Sequence, residues 1–193
     1  MIDYSPARKE IKASQKCLKL MLASQNHDEF EQNWRDFLGH LEKAYNKLLC
    51  ATKPVKDKFS SHFSKRIMHR KTDQTLVYLY QARNTDQHST EEIARLSPSH
   101  TTFSSIPGAK GHYIEKLHIN GNGMITEYKG DPLVVTFHPK TTKAIKIRNY
   151  GKDYHPPTIH LGEKLSSNHP SNLAAIGIKF YEDWIEDSSV TFK

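Results

Sequence analysis

Leu76-Val77-Tyr78-Leu79-Tyr80-Gln81-Ala82-Arg83-Asn84-Thr85-Asp86-Gln87-His88 starts as an apolar helical run and ends in polar and ionisable side chains. At about 100° per residue, Val77, Tyr80, Asn84 and His88 fall on one strip of a helix, with Arg83 beside them. A buried helix would continue its apolar stripe, yet here an arginine, an asparagine and a histidine interrupt it. Burying an arginine and a histidine without partners is costly. The strip is therefore expected to line a groove or an interface rather than a dry core.

Upstream, three further helical segments are legible. Ser5-Pro6 gives a helix start, with Ser5 as the N-cap, followed by the face Ala7, Ile11, Ser14, Leu18, Met21 and Leu22. Asn26 with Glu29 three residues later forms a second start signal. Phe30, Trp34, Phe37, Leu38, Leu41, Ala44, Tyr45, Leu48 and Leu49 then repeat at three and four, as an amphipathic core helix requires. Lys53-Pro54 opens a third segment with a narrow stripe of Val55, Phe59, Phe63 and Ile67. Its other faces carry Lys56, Lys58, Lys65, Arg66, Arg70 and Lys71 against Asp57 alone. Such a run reads first as a solvated face; Lys65, Arg66, Arg70 and Lys71, just before the polar strip, are the candidates for holding phosphates. Thr72 or Asp73 caps the helix that carries the strip. Four helices with short connections read as an antiparallel bundle.

From Ser97 to Gly111 the composition shifts to Ser, Thr, Pro and Gly, which predicts a linker with a boundary near Ser105. The period then changes from helical to alternating. Tyr113 to Ile119 and Met124 to Tyr128 flank Asn120-Gly121-Asn122-Gly123, a tight-turn sequence. Leu133 to His138 and Lys143 to Arg148 are further strands, Asn149 to Pro157 a loop, and Thr158 to Leu161 a short fifth strand. A last helix carries Leu173, Ile176, Phe180, Trp184 and Ile185, with Asn168 or Ser171 as its cap. The reading is an α+β chain. An antiparallel bundle of about four helices spans residues 1–104. A small antiparallel β-sheet domain with a C-terminal helix spans 105–193, that helix lying on the sheet or on the bundle.

The chain has 193 residues and a net charge of +7, with a sequence pI of about 9.3. The surplus suits an anionic partner such as nucleic acid. No apolar run approaches the roughly 20 residues a membrane helix needs. The first ten residues lack a secretory apolar core, so a cytoplasmic location is expected. Cys17 and Cys50 read as small buried hydrophobes. His155 and His160 stand five apart across Pro156-Pro157, too loosely for zinc, and there is no His-Glu-x-x-His, so no metal site or cofactor is expected. No Gly-rich phosphate loop follows a strand, and no Gly-x-Ser-x-Gly is visible. Tyr150, Tyr154 and His155, with Lys143, Lys146 and Arg148, suggest a loop able to stack and hold single-stranded nucleic acid, or simply a solvated loop.

Arg83-Asn84-Thr85-Asp86-Gln87-His88 has the form Arg-x4-His with Asn directly after Arg. On an apolar helix of a small bundle, this resembles the HEPN family. Many members of that family are metal-independent endoribonucleases of prokaryotic defence and toxin–antitoxin systems, and they usually dimerise so that two motifs meet in one cleft. The resemblance covers the N-terminal half. It implies Arg83 and His88 as the active pair, Asn84 and Asp86 as supporting residues, a homodimer, and RNA between the protomers. The β-rich half would then select the RNA or a protein partner.

The chemistry of these side chains is compatible. RNA is cut without metal when its own 2′-hydroxyl attacks the adjacent phosphate, which needs a base, an acid, and fixed positive charge where the phosphorane gathers electrons. A histidine titrates near neutrality and serves either proton-transfer role. An arginine is a permanent cation with a planar fork of donors. One of each per protomer is a sparse set, and a two-fold pair supplies two. Three other readings stay open: a non-catalytic dimerisation or interaction module, an RNA-binding protein using Lys53 to Lys71, and a purely structural strip. In the last, Arg83 pairs with Asp86 or Asp73 and His88 caps the helix end.

Overall fold

The computed structural model describes residues 2–88 and 92–193, the side chains of Gln87 and His88 excepted. Its described helices are α1 (Ser5–Ala23), α2 (His27–Ala51), α3 (Lys56–His62), α4 (Ser64–Thr72), α5 (Gln74–His88) and α6 (Pro170–Thr191), with a 3-10 turn at Lys53–Val55. Between α5 and α6 lie β1 (Ala94–Ser97), β2 (His100–Ser105), β3 (Ile114–Ile119), β4 (Ile125–Gly130) and β5 (Leu133–His138). They are followed by β6 (Thr141–Ala144), β7 (Ile147–Asn149), β8 (Lys152–Tyr154), β9 (Ile159–His160) and β10 (Glu163–Lys164). The class is α+β, as expected, with five described helices before the strands where about four were expected, and the expected C-terminal helix after them.

Helix α2 starts where its cap demands. The Asn26 side chain accepts from the Glu29 amide at 2.9 Å, and Glu29 reaches back to the Gln25 amide at 3.2 Å. Phe30, Trp34, Phe37, Leu38, Leu41, Ala44 and Leu48 are all buried, as their spacing predicts. The short Ser24–Asn26 connection and the bond from His40 to Glu10, 2.7 Å, set α1 antiparallel to α2. Helix α1 begins differently from expectation. Its N-cap position is Tyr4 with no side-chain cap bond, and Asp3 accepts from the Ser5 amide instead, at 2.8 Å. The basic third segment is broken at Phe63, whose ring and that of Phe59 turn into the core while α3 and α4 change direction around them.

The chain forms two compact units, and they are not its two successive halves. One unit comprises residues 1–95 and 142–193, the other 96–141. The reason is α6. Its Leu173, Ala174, Ile178, Tyr181, Trp184 and Ile185 are buried among α1, α2 and α5. Trp184 stacks on Phe59 and tilts against Tyr45. A helix apolar on so much of its girth needs neighbours on several sides, which a small sheet does not offer. The carboxylates that crowd its C-terminal end are neutralised from the bundle: Arg8 takes Glu186 through two bonds of 2.7 and 2.6 Å, and Arg66 takes Asp187.

The second unit holds two antiparallel two-stranded ladders, the β3–β4 hairpin and the pairing of β2 with β5, which flank that hairpin in the chain. The Asn120–Met124 turn closes β3 and β4 as its sequence predicts. The expected linker is a correction: its middle, His100–Ser105, is strand β2, in register from His100 opposite His138 to Ser105 opposite Leu133. Thr101, Thr102 and Phe103 are strand-favouring residues, and the Ser-Pro and Pro-Gly signals only bound the strand. None of the residues 96–141 is buried, so this unit has no core of its own. The predicted Asn149–Pro157 loop is also shorter than expected, because β7 and β8 close a hairpin over Tyr150 and Gly151, both at positive φ.

Candidate functional site

Helix α5 is held on both flanks. Toward α2, Leu76, Leu79 and Ala82 are buried. Toward the returning strands, polar side chains meet backbone carbonyls: Thr75 to Ile159 at 3.0 Å and Tyr78 to Ile145 at 2.8 Å. Gln81 accepts from Asn149 at 2.7 Å. The polar character of the helix is thus partly structural, since a buried carbonyl needs a donor.

Arg83 sits half-buried one turn beyond Leu79, and its Nη1 donates to the Asn84 side chain at 3.1 Å. Asn84 itself is buried. The Arg83 Nε is buried with no hydrogen-bond partner. Both carboxylates that a structural reading would give it are engaged elsewhere. Asp86 bonds Arg35, which also holds Glu31 at 2.9 Å. Asp73 accepts from the Leu76 amide at 3.0 Å, the Leu161 amide at 2.7 Å and His160 Nδ1 at 2.9 Å. Among the described residues Arg83 therefore has no carboxylate partner. His88 ends α5, and its side chain lies outside the described residues.

Val77 and Tyr80, the start of the predicted strip, line a groove of about 380 Å³ together with Gln81, Lys71, Lys152 and Tyr154. Lys152 lies 5.3 Å from the Tyr154 ring centroid. Cations and aromatic faces along one groove are the ingredients for holding a single strand. Tyr150 is fully open to solvent, and Lys146 and Arg148 both approach Asp153.

The four basic candidates separate into different environments. Lys65 and Lys71 are exposed and, among the described residues, unpaired. Arg66 reaches Asp187. Arg70 is turned inward: it bonds Glu42 at 2.7 and 2.9 Å, meets the Tyr181 hydroxyl, and stacks 3.9 Å from the Tyr45 ring centroid. That arginine serves the packing of α4 on α2 and α6, and the other three do not share one surface: Lys71 lines the groove beside Tyr80, and Lys65 and Arg66 line a separate cavity. Of the cysteines, Cys17 is buried as expected, whereas Cys50 is exposed because it lies on the opposite side of α2 from Leu48.

The Asp73–His160 pair was invisible to sequence reading, because 87 positions separate its members and no local motif links them. His160 lies in the short β9–β10 hairpin, whose turn carries Leu161 at φ 50° and Gly162 at φ 90°. A leucine in the left-handed region is strained by about 1–2 kcal/mol. The bond from its amide to the buried Asp73 helps to hold it there. Among the described residues, no group of three or more His, Cys, Asp or Glu is placed to hold a metal ion. No helix among them is long and apolar enough to cross a membrane. Comparison with models of known protein families, with curated proteins and with solved structures gives no match.

Proposed function

We propose that the chain is a metal-independent endoribonuclease of the HEPN-like kind. It would act in the cytoplasm in prokaryotic defence or a toxin–antitoxin pair, as a homodimer with RNA between the protomers. The observation that carries this reading is the guanidinium of Arg83, which follows an apolar helical stripe while Asp86, one turn on, is bound to Arg35 and Asp73, at the far end of the helix, to His160. A cation left without a carboxylate at the end of a packed helix is suited to an external phosphate. Asn84, bonded to Arg83, fixes the guanidinium. His88, five positions on, moves the proton. The groove of Lys71, Tyr80, Lys152 and Tyr154 gives the strand a path along the same helix. The ribbon of residues 96–141, with Tyr113, Val135 and Phe137 open to solvent, offers a surface for a protein partner or for the RNA.

The test is cleavage of single-stranded RNA in EDTA by the full chain, beside Arg83→Ala and His88→Ala. Losing a positioned proton-transfer group costs typically 10²–10⁴-fold in rate, the range expected for His88→Ala; Arg83→Ala, which removes charge stabilisation of the transition state, is expected to lose about 10²–10³-fold. Light scattering is expected to give a dimer. Cleavage that survives unchanged in both variants removes the assignment. Absent cleavage with an intact dimer supports the non-catalytic interaction module instead.

A further inference from the structure

A cavity of about 590 Å³ opens between α4, α6 and the β9–β10 hairpin, within the helical unit and separate from the motif at Arg83. Helix α4 presents Lys65, Arg66 and His69 to it; His69 follows Lys65 by four positions and Arg66 by three, and so neighbours both. Helix α6 contributes Lys179 and Asp183, and the hairpin contributes His160. Three cations thus meet one carboxylate, and two imidazoles line the same space.

His160 is a held ring rather than a loose one. Its Nδ1 lies 2.9 Å from Asp73 Oδ1, and its ring stands edge-on to Phe180 at 6.4 Å. The Asp73 side chain is only 5% exposed and already accepts two backbone amides. A carboxylate can only accept, so Nδ1 carries the hydrogen. Nε2 is then the acceptor of the neutral ring or a second donor of the charged one. Among the described residues Nε2 has no partner, and neither does the imidazole of His69.

Arg66 is held by Asp187, and the two lysines are available. Lys65 is unpaired among the described residues. Lys179 pairs with Asp183 at 2.6 Å, but their side chains are 73% and 44% exposed. An exposed, solvent-screened pair of this kind contributes little, so an entering dianion can displace it. The remaining wall is apolar: Leu161, Ala175, Ile176 and Phe180. Donors converging from three elements suit a tetrahedral oxyanion better than a planar carboxylate. The apolar wall beside them suits a flat, weakly polar body. Cavities of roughly 300–1,000 Å³ hold ligands of small-molecule size.

We propose that this cavity is a nucleotide-phosphate site. The phosphate sits among Lys65, Lys179 and His160 Nε2, and the nucleoside lies against Phe180 and Ile176. The ligand is a free mononucleotide or one nucleotide of a strand. The site does not depend on the Arg83 reading, and it is tested with ligands that contain no internucleotide bond.

Titration calorimetry of the full chain with AMP and UMP, adenosine, inorganic phosphate and an oligo(A) hexamer tests it. At least one mononucleotide is expected to bind at least tenfold more tightly than adenosine or phosphate alone. The Lys65→Ala/Lys179→Ala variant, altered only at the surface, is expected to lose at least tenfold in affinity for it. His160→Asn is the sharper change, because the asparagine amide reproduces the Nδ1 donor to Asp73 while deleting Nε2; a loss of similar size is expected at an unchanged melting temperature. A hexamer binding more tightly than AMP marks a nucleotide within a strand, and one binding no better marks a free nucleotide. The proposal is overturned if neither AMP nor UMP binds at millimolar concentration, if adenosine matches AMP, or if both variants bind as the unaltered chain does.

Discussion

The Asp73 carboxylate joins two places far apart in the chain: it caps the first turn of α5 through the Leu76 amide and holds His160 through Nδ1 at 2.9 Å. A third bond, from the Leu161 amide, fixes the strained hairpin turn. One buried side chain therefore sets both the start of the motif helix and the orientation of the imidazole. Asp73→Ala removes a helix cap and leaves buried donors without a partner. It is expected to cost roughly 2–4 kcal/mol. Asp73→Asn keeps the acceptor for Leu76 and is expected to cost less. Urea unfolding that shifts the midpoint in this order at constant slope confirms the assignment; two midpoints equal to the unaltered chain's refute it.

What the sequence revealed and what it hid divide along the range of the interactions. Asn26, Glu29 and the apolar stripe of α2 act within a few residues, and each occupies its predicted place. The Asn120–Met124 turn is equally local. The assignment of α6 to the bundle, the inward turn of Arg70 and the Asp73–His160 pair depend on residues 28 to more than 100 positions away. No spacing rule reaches them. The motif at Arg83 lies between these cases: its placement on a helix behind an apolar stripe was legible. That Asp86 belongs to Arg35 rather than Arg83 was not, since Arg35 reads only as a polar position on a helix face.

Two helical glycines predict opposite outcomes for one substitution. Gly39 lies within α2, and a Cβ there meets nothing within 4 Å. Gly39→Ala is expected to stabilise by about 0.5–1 kcal/mol, since alanine restricts the unfolded chain and favours the helix. Gly177 lies within α6, where a Cβ would stand 2.8 Å from Leu79 Cδ1 and 2.9 Å from Leu41 Cδ2. Both leucines are buried, so neither tip has room to retreat. Overpacking costs typically 1–3 kcal/mol, which exceeds the helical gain, so Gly177→Ala is expected to destabilise. Thermal melts of the two variants should move in opposite directions, and a rise for Gly177→Ala would show that α6 does not seat this closely on α2 and α5.

Helix α6 also carries a pH dependence. Its cap is His169, whose Nδ1 accepts from the Ser171 hydroxyl at 2.7 Å and from the Ser171 amide at 3.3 Å. Burial lowers the His169 pKa below the ordinary histidine value. The unfolded chain therefore binds more protons than the folded one between the two pKa values, and stability rises with pH across that interval. The contribution is fully present above about pH 6.5, the unfolded value, and declines as pH falls toward the folded one. His169→Asn supplies a cap that does not titrate and is expected to flatten this part of the curve. Equal slopes for the two proteins between about pH 7 and 5 would assign the dependence to other groups.

The last relationship bears on the motif itself. Asp86 stands three residues after Arg83 on the same helix, within reach of it by helical geometry, yet it bonds Arg35 of α2. Arg35 thus holds the carboxylate that, by spacing, Arg83 could otherwise reach, and a decoy role for it is testable. Removing it in Arg35→Ala leaves Asp86 partly buried and unpaired, and the nearest remaining cation along α5 is Arg83. Its capture would neutralise the proposed phosphate-holding group without altering it. RNA cleavage or RNA binding in Arg35→Ala is expected to fall by about tenfold, a coupling of about 1.4 kcal/mol. Adding Asp86→Ala is expected to restore most of that loss, because the competing carboxylate is then gone. This recovery separates the decoy role from simple loss of folding, which a second deletion would only worsen. A double variant no better than Arg35→Ala would show that Arg83 does not depend on where Asp86 turns.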